Sequence, residues 1–220
     1  MAKTSPNKPL FIMLYGFPGS GKTFFARQFC EQVQAAHIQG DRIRAELFQQ
    51  PRYDKEENQV VTQLMDYMAG EFLNAGLSVV YDTNAGRAIQ RHALRDMARR
   101  AGATPLLIWF QIDSDSSYYR ASKRDRRRSD DKYAAPMNRD LYDSLTGQMQ
   151  NPVTTEDYIV ISGKHTFNTQ YTAALRKLRE MGLYGLDGSS EHVVKPGLVN
   201  LIPSQNAGRV DMGRRNITIR

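Results

Sequence analysis

Apolar positions in this chain fall into short continuous runs. Pro9 to Tyr15 (PLFIMLY), Leu77 to Tyr81 (LSVVY), Pro105 to Ile112 (PLLIWFQI) and Tyr158 to Ser162 (YIVIS) each read as a strand. Runs of this length suit a parallel sheet covered on both faces. His37 to Gln39 is a weaker strand signal. Between the runs the period becomes helical. Lys22 to Gln34 would bury Phe25, Phe29 and Val33, with Cys30 beside them. Asp54 to Asn74 carries Val60, Val61, Leu64, Met65, Met68 and Phe72 at helical spacing, and Gly76 ends it. Ala88 to Arg100 and Thr169 to Met181 continue the alternation. Strand and helix in turn predict a doubly wound α/β sheet with right-handed connections.

Two stretches depart from that rhythm. Residues 114–136 are dense in charge, including Arg120, Lys123, Arg124, Arg126, Arg127 and Arg128. Read as a helix, this stretch puts Arg120, Arg124 and Arg127 on one face. Residues 186–220 hold turn signals at Asp187-Gly188, Pro196-Gly197, Pro203 and Gly208 and read as an extended basic tail docked on the domain. The organisation expected is a domain over residues 1–185, a lid at about residues 114–136, and the tail.

Composition narrows the class. The chain has 220 residues, long enough for one domain with a sizeable core. One cysteine rules out a disulfide scaffold, and four histidines without ligand spacing argue against zinc. No apolar run nears the roughly 18 residues of a membrane span. No signal-peptide pattern opens the sequence, so a cytoplasmic protein is expected. A net charge of +7 leans towards phosphorylated or polyanionic partners.

The sharpest signal lies between the first strand and the first helix. Gly16-Phe17-Pro18-Gly19-Ser20-Gly21-Lys22-Thr23 fits GxxxxGK[ST] in full. Its glycines let successive backbone N–H groups turn inward on phosphate, and the helix N-terminus adds partial positive charge. Lys22 would reach the β- and γ-phosphates, and Thr23 would ligate Mg²⁺. Nucleotide binding at Gly16, Pro18, Gly19, Ser20, Gly21, Lys22 and Thr23 follows. No NKxD-type base-reading stretch of a GTPase is present.

Acidic residues stand where strands end, on the face where open α/β sheets place ligands. Asp41 follows the weak second strand, with Arg44 one helical turn on. Asp41 would take the proton of an attacking hydroxyl, and Arg44 would hold an anionic group of the acceptor. The plainer alternative makes Asp41 the cap of a short helix beginning IRAELF. Asp82 ends LSVVY and would hold Mg²⁺, with Asn84 positioning the acceptor and Arg91 pointing at phosphate. The plainer alternative there is a turn that satisfies its own backbone.

Together, GFPGSGKTFFA, GDRIR at Gly40 to Arg44, VVYDTNAG at Val79 to Gly86 and the basic RASKRDRRR resemble P-loop kinases of the polynucleotide-kinase and zeta-toxin type. That resemblance spans roughly residues 10–130. It implies a P-loop NTPase fold of kinase type: a three-layer sandwich with a mostly parallel five-stranded sheet and a mobile basic lid. It implies ATP as donor, Asp41 as general base, Arg44 on the acceptor, and lid arginines among Arg120, Arg124 and Arg127. Members act on nucleic-acid 5′-hydroxyls, nucleotide sugars and other hydroxylated small molecules. The basic tail and net charge favour the 5′ end of RNA or DNA as acceptor, ahead of a phosphorylated or other small molecule. A regulatory ATP-binding module without transfer activity is the rival class.

Overall fold

The computed structural model describes residue 3, residues 6–127 and residues 131–184. The tail expected over residues 186–220 lies outside the described residues, as does Arg128. In chain order the elements are β1 (Leu10–Tyr15), α1 (Lys22–Gln32), β2 (Ala35–Gln39), α2 (Gly40–Leu47), α3 (Lys55–Asn74) and β3 (Ser78–Asn84). There follow α4 (Ala88–Arg100), β4 (Thr104–Gln111), α5 (Ser114–Ser122), α6 (Arg139–Gly147), β5 (Tyr158–Ser162) and α7 (Phe167–Glu180).

The five strands form one sheet in the order β2-β3-β1-β4-β5, every neighbouring pair parallel. The continuous apolar runs have the expected cause: both faces are covered. Along β1 the side chains alternate between two cores. Leu10, Ile12 and Leu14 pack with Phe25 and Phe29 of α1 and with Ala174 and Leu178 of α7. Phe11, Met13 and Tyr15 pack with Val61, Met65 and Ala69 of α3 and with Leu94 of α4. All six β1 residues are buried. This is a three-layer α/β sandwich, the P-loop kinase arrangement expected from the sequence.

The strand order creates a crevice. The chain leaves β1 towards β2 on one side and later passes from β3 to β4 on the other. Connections that diverge in this way leave a gap at the carboxyl ends of β1 and β3, where such sheets bind ligands.

Three details differ from the sequence reading. The α3 stripe runs through Val61, Met65, Ala69 and Leu73, which leaves Val60 46% exposed. The helix α6 stands where no element was expected. The Asn138 side chain accepts from Leu141 N–H at 2.9 Å and caps its start, and Tyr142 is its one buried residue. The lid helix α5 stops at Ser122 with Lys123 as its cap, and residues 124–127 run on outside a helix. Arg120, Arg124 and Arg127 therefore do not share a helical face.

Arg91 is a correction of another kind. Its side chain is fully buried. Nε donates to Glu156 at 2.7 Å and Nη2 to the same carboxylate at 3.0 Å. Nη1 donates to the carbonyls of Ala85 and Gln150. The guanidinium also lies over the Tyr15 ring, 5.4 Å from its centre. Arg91 thus ties α4 to the segment before β5 and has nothing left for a phosphate. Burial alone would raise the Glu156 carboxyl, but Arg91 and the Val153 N–H outweigh it and hold it low. Removing one member of such a pair strands a buried charge, so Arg91→Ala should lose about 3–5 kcal/mol of stability. Urea unfolding checks this, and a loss below about 1 kcal/mol would show the pair to be dispensable.

Candidate active site

The segment from Gly16 to Thr23 turns tightly between β1 and α1. Gly19 has φ 85°, in the left-handed region, and a Cβ there would meet the Ser117 carbonyl at 2.2 Å and the Ala121 nitrogen at 2.9 Å. The lid helix α5 therefore rests directly on the turn. Ser117 adds a hydrogen bond from its hydroxyl to the Pro18 carbonyl at 2.6 Å. On the other flank the loop after β5 presses on the turn, since a Cβ on Gly163 would meet the Ser20 carbonyl at 2.7 Å. Ser20 is fully buried. The Lys22 ammonium spans the turn, donating to the Gly16 and Phe17 carbonyls at 2.7 and 2.8 Å. Burial, reinforced by the charge of Arg124, pulls its pKa down to about 7 against the opposing pull of Asp82 and Asp41.

Asp82 lies near the carboxyl end of β3 and is 5% exposed. Its Oδ1 accepts from the Thr23 hydroxyl at 3.2 Å, and its Oδ2 lies 2.9 Å from His37 Nε2. Two hard oxygen donors side by side, close to Lys22, fit Mg²⁺. That ion favours one or two protein oxygens plus phosphate and water over an all-protein cage. Among the described residues, no group of three or more His, Cys, Asp or Glu side chains could hold a metal ion. Asn84 has a different task from the one expected. Its Oδ1 accepts from Gly16 N–H at 3.2 Å and its Nδ2 donates to the Met149 sulfur at 3.6 Å, so it anchors the start of the phosphate loop.

Asp41 lies in the first turn of α2, whose cap is Gln39, so Asp41 is not the capping residue. It is open to solvent, yet protein walls surround it closely enough to push its carboxyl upward. The charge of Asp82 adds to that shift, while Arg124, Arg44 and Lys22 oppose it. All four charges lie near enough to act on the Asp41 carboxyl.

Arg44 stands behind that space with its guanidinium largely occupied. It pairs with Glu57 at 3.0 Å, donates to Asn58 at 2.5 Å, and lies over the Tyr53 ring at 4.8 Å. Nε alone is left without a partner. Arg44 thus shapes the wall more than it offers a free fork, a correction to its expected grip on the acceptor. Tyr53 has φ 58°, unusual for a bulky residue. Its backbone N–H and that of Arg52 donate to Glu57, which holds this turn in place. Burial would raise the Glu57 carboxyl, but those N–H groups and Arg44 outweigh it and hold it low. His37, Tyr53, Glu57 and Ser117 carry no motif and escaped the sequence reading.

The lid arginines divide. Arg120 donates to the Gly163 carbonyl at 2.7 Å, bridging α5 to the loop after β5. Arg124 lies near enough for its charge to act on both Lys22 and Asp41, and 3.9 Å from Asp131. Arg127 is a correction: its side chain is 93% exposed and pairs with Asp125, away from the cleft. A cavity of about 720 Å³ lies behind Gly16 and Phe17, lined by Tyr15, Trp109, Met149 and Asn151, and none of Lys22, Thr23 and Asp41 borders it.

A phosphate loop between β1 and α1 and a carboxylate at the end of β3 define the chain as a P-loop protein of kinase-type fold. The chain belongs to the family described as AAA domain, whose model matches residues 11–140. It is similar to the sulfate adenylyltransferases of Neosartorya fischeri and Aspergillus fumigatus, with 26% identity over 71% of this chain in each case. The chain spans about 30% of the length of these curated relatives. Among solved structures, it resembles a putative kinase from Chloroflexus aurantiacus at a TM-score of 0.62 and 13% identity, covering 79% of this chain and 97% of that one. The Mycobacterium tuberculosis APS kinase CysC, in complex with AMPPNP and APS, gives 0.58 and 18%, covering 79% and 99%. A gluconokinase from Sinorhizobium meliloti gives 0.56 and 18%, covering 79% and 93%. These likenesses establish the fold. No helix of the described residues is long and apolar enough to cross a membrane.

The lowered pKa of Lys22 has a measurable consequence. At about pH 8 the free amine is mostly neutral, and phosphate beside it favours the ammonium form. Nucleotide binding at about pH 8 should therefore take up a proton, and binding at about pH 6 should take up little. Calorimetry in buffers of different ionisation heat reads this uptake, which should vanish in Lys22→Met.

Proposed function

We propose that this chain is an ATP-dependent kinase that transfers the γ-phosphate to a hydroxyl of a small molecule, such as a sugar, a nucleoside or a nucleotide derivative. The phosphate loop, spanned by Lys22 and closed by the hydrogen bond from Thr23 to Asp82, carries this reading, with Asp41 and Arg124 near enough for their charges to act on Lys22. Phosphoryl transfer asks for positioning and for charge around the transferring group, and these residues supply both. Lys22 would leave the Gly16 and Phe17 carbonyls for the phosphate oxygens. The acceptor oxygen would form its bond to the γ-phosphorus as the bridging oxygen departs with ADP. Asp41 would take the hydroxyl proton, and its raised pKa moves it towards neutrality, where a base is most useful. Arg124 would balance charge from the lid side. Thr23 and Asp82 would hold Mg²⁺, which supplies charge neutralisation at the phosphates when bound. ATP as donor would place the reaction in the cytoplasm.

Within P-loop kinases, GDRIR and VVYDTNAG resemble the polynucleotide-kinase and zeta-toxin type. The acceptor is better read as small. A nucleic-acid groove would present a continuous basic stripe, but the described lid arginines are bonded inward or sideways. Arg120 serves the Gly163 carbonyl, Arg126 the Ala134 carbonyl and Arg127 the Asp125 carboxylate. The solved relatives include proteins named gluconokinase and APS kinase.

Transfer of label from γ-labelled ATP to a panel of sugar acids, nucleosides and APS, run beside a 5′-hydroxyl oligonucleotide, tests the proposal. Label should appear on a small acceptor. Asp41→Asn should lower turnover by at least about 100-fold while ATP affinity stays near that of the parent. Turnover should also fall on the acid side of a midpoint above the ordinary carboxylate range, because protonated Asp41 cannot accept a proton. Label on the oligonucleotide alone would return the acceptor to nucleic acid. Unchanged turnover in Asp41→Asn would remove the general base.

A further inference from the structure

We propose that His37 is a positioning residue that locks the Asp82 carboxylate in the orientation needed beside Thr23. The inference rests on the reading above, in which Thr23 and Asp82 hold the metal of the nucleotide complex, and adds a residue that no motif marks.

His37 lies on β2, in register with Val80 of β3. Its ring reaches forward to Asp82 at the strand end, with Nε2 2.9 Å from Oδ2. The Asp82 side chain is 3% exposed and that of His37 20% exposed, so the contact is mostly shielded from water. An ionised carboxylate can only accept, so the proton of this hydrogen bond sits on Nε2. The other carboxylate oxygen receives the Thr23 hydroxyl at 3.2 Å. With one partner on each oxygen, the carboxylate plane is fixed. Thr23 would keep its hydroxyl proton on Asp82 and turn a lone pair to the metal.

Without the His37 bond the carboxylate would be held at Oδ1 alone. A carboxylate held at one oxygen can turn, and a turn would move the oxygen offered to the metal. His37 blocks that turn from β2, the strand beside β3 on the side away from β1. Outer partners that orient a metal ligand commonly change metal affinity by about 10–100-fold when removed.

The test compares the full chain with His37→Phe, which keeps a ring and strand preference but loses the donor, and with His37→Gln, which returns an N–H at similar reach. Mn²⁺ serves as the probe, followed by electron paramagnetic resonance, with ATP binding measured separately in the presence of a chelator. His37→Phe should raise the Mn²⁺ concentration at half-saturation of the nucleotide complex by about tenfold. Its metal-free ATP binding should stay within about twofold of the parent, and His37→Gln should recover most of the loss. Parent-like Mn²⁺ binding in His37→Phe would overturn the proposal. Equal weakening of both variants together with loss of metal-free ATP binding would also overturn it, since that marks a general packing role. A parent chain that binds ATP with no metal dependence would instead fail the metal pair of Thr23 and Asp82, and with it both readings.

Discussion

The cleft is organised around one stretch of backbone, Gly16 to Thr23, which must turn its N–H groups inward while bearing neighbours on both flanks. Gly19 has no room for a side chain under α5, and the Gly163 backbone sits against Ser20 on the other side. The turn is therefore held by contact as well as by its own dihedrals. Asn84 fixes its first residue and Thr23, bonded to Asp82, fixes its last. A loop clamped in this way can present an anion site at little ordering cost on binding.

The same clamping links the parts that would respond to a ligand. The lid helix α5 touches the phosphate loop at Pro18 and Gly19, and Arg120 joins α5 to the loop after β5. Lys164 and Asp113 add a second tie between these segments at 2.5 Å. A change at the phosphate loop is thus felt directly by α5, by the loop after β5 and by the end of β3. On the acceptor side, the Glu57 carboxylate gathers Arg44 and the backbone of Arg52 and Tyr53, holding Tyr53 in its uncommon conformation.

Some of this was legible in the residues. The phosphate loop is written as glycine spacing because its function is carried by backbone, and that code survives without any tertiary knowledge. The core strands were legible because two covered faces demand continuous apolar runs. The half-buried strand β2 gave a weak pattern for the same reason in reverse. Arginines were the hardest to place. Formal charge marks Arg44 and Arg91 equally as anion binders, yet their partners Glu57 and Glu156 stand 13 and 65 residues away. Only the fold brings those carboxylates to them. His37 was silent for a related reason: a histidine in a short strand says nothing of the aspartate it will meet on the next one.

The most direct measurement is a crystal structure with a non-hydrolysable ATP analogue and Mg²⁺. The account predicts the β- and γ-phosphates inside the turn from Gly16 to Thr23. Lys22 Nζ should move from the Gly16 and Phe17 carbonyls to phosphate oxygens, and the acceptor side of the γ-phosphate should open towards Asp41. A nucleotide seated in the cavity beside Trp109, or a Lys22 still bonded to the two carbonyls, would contradict it.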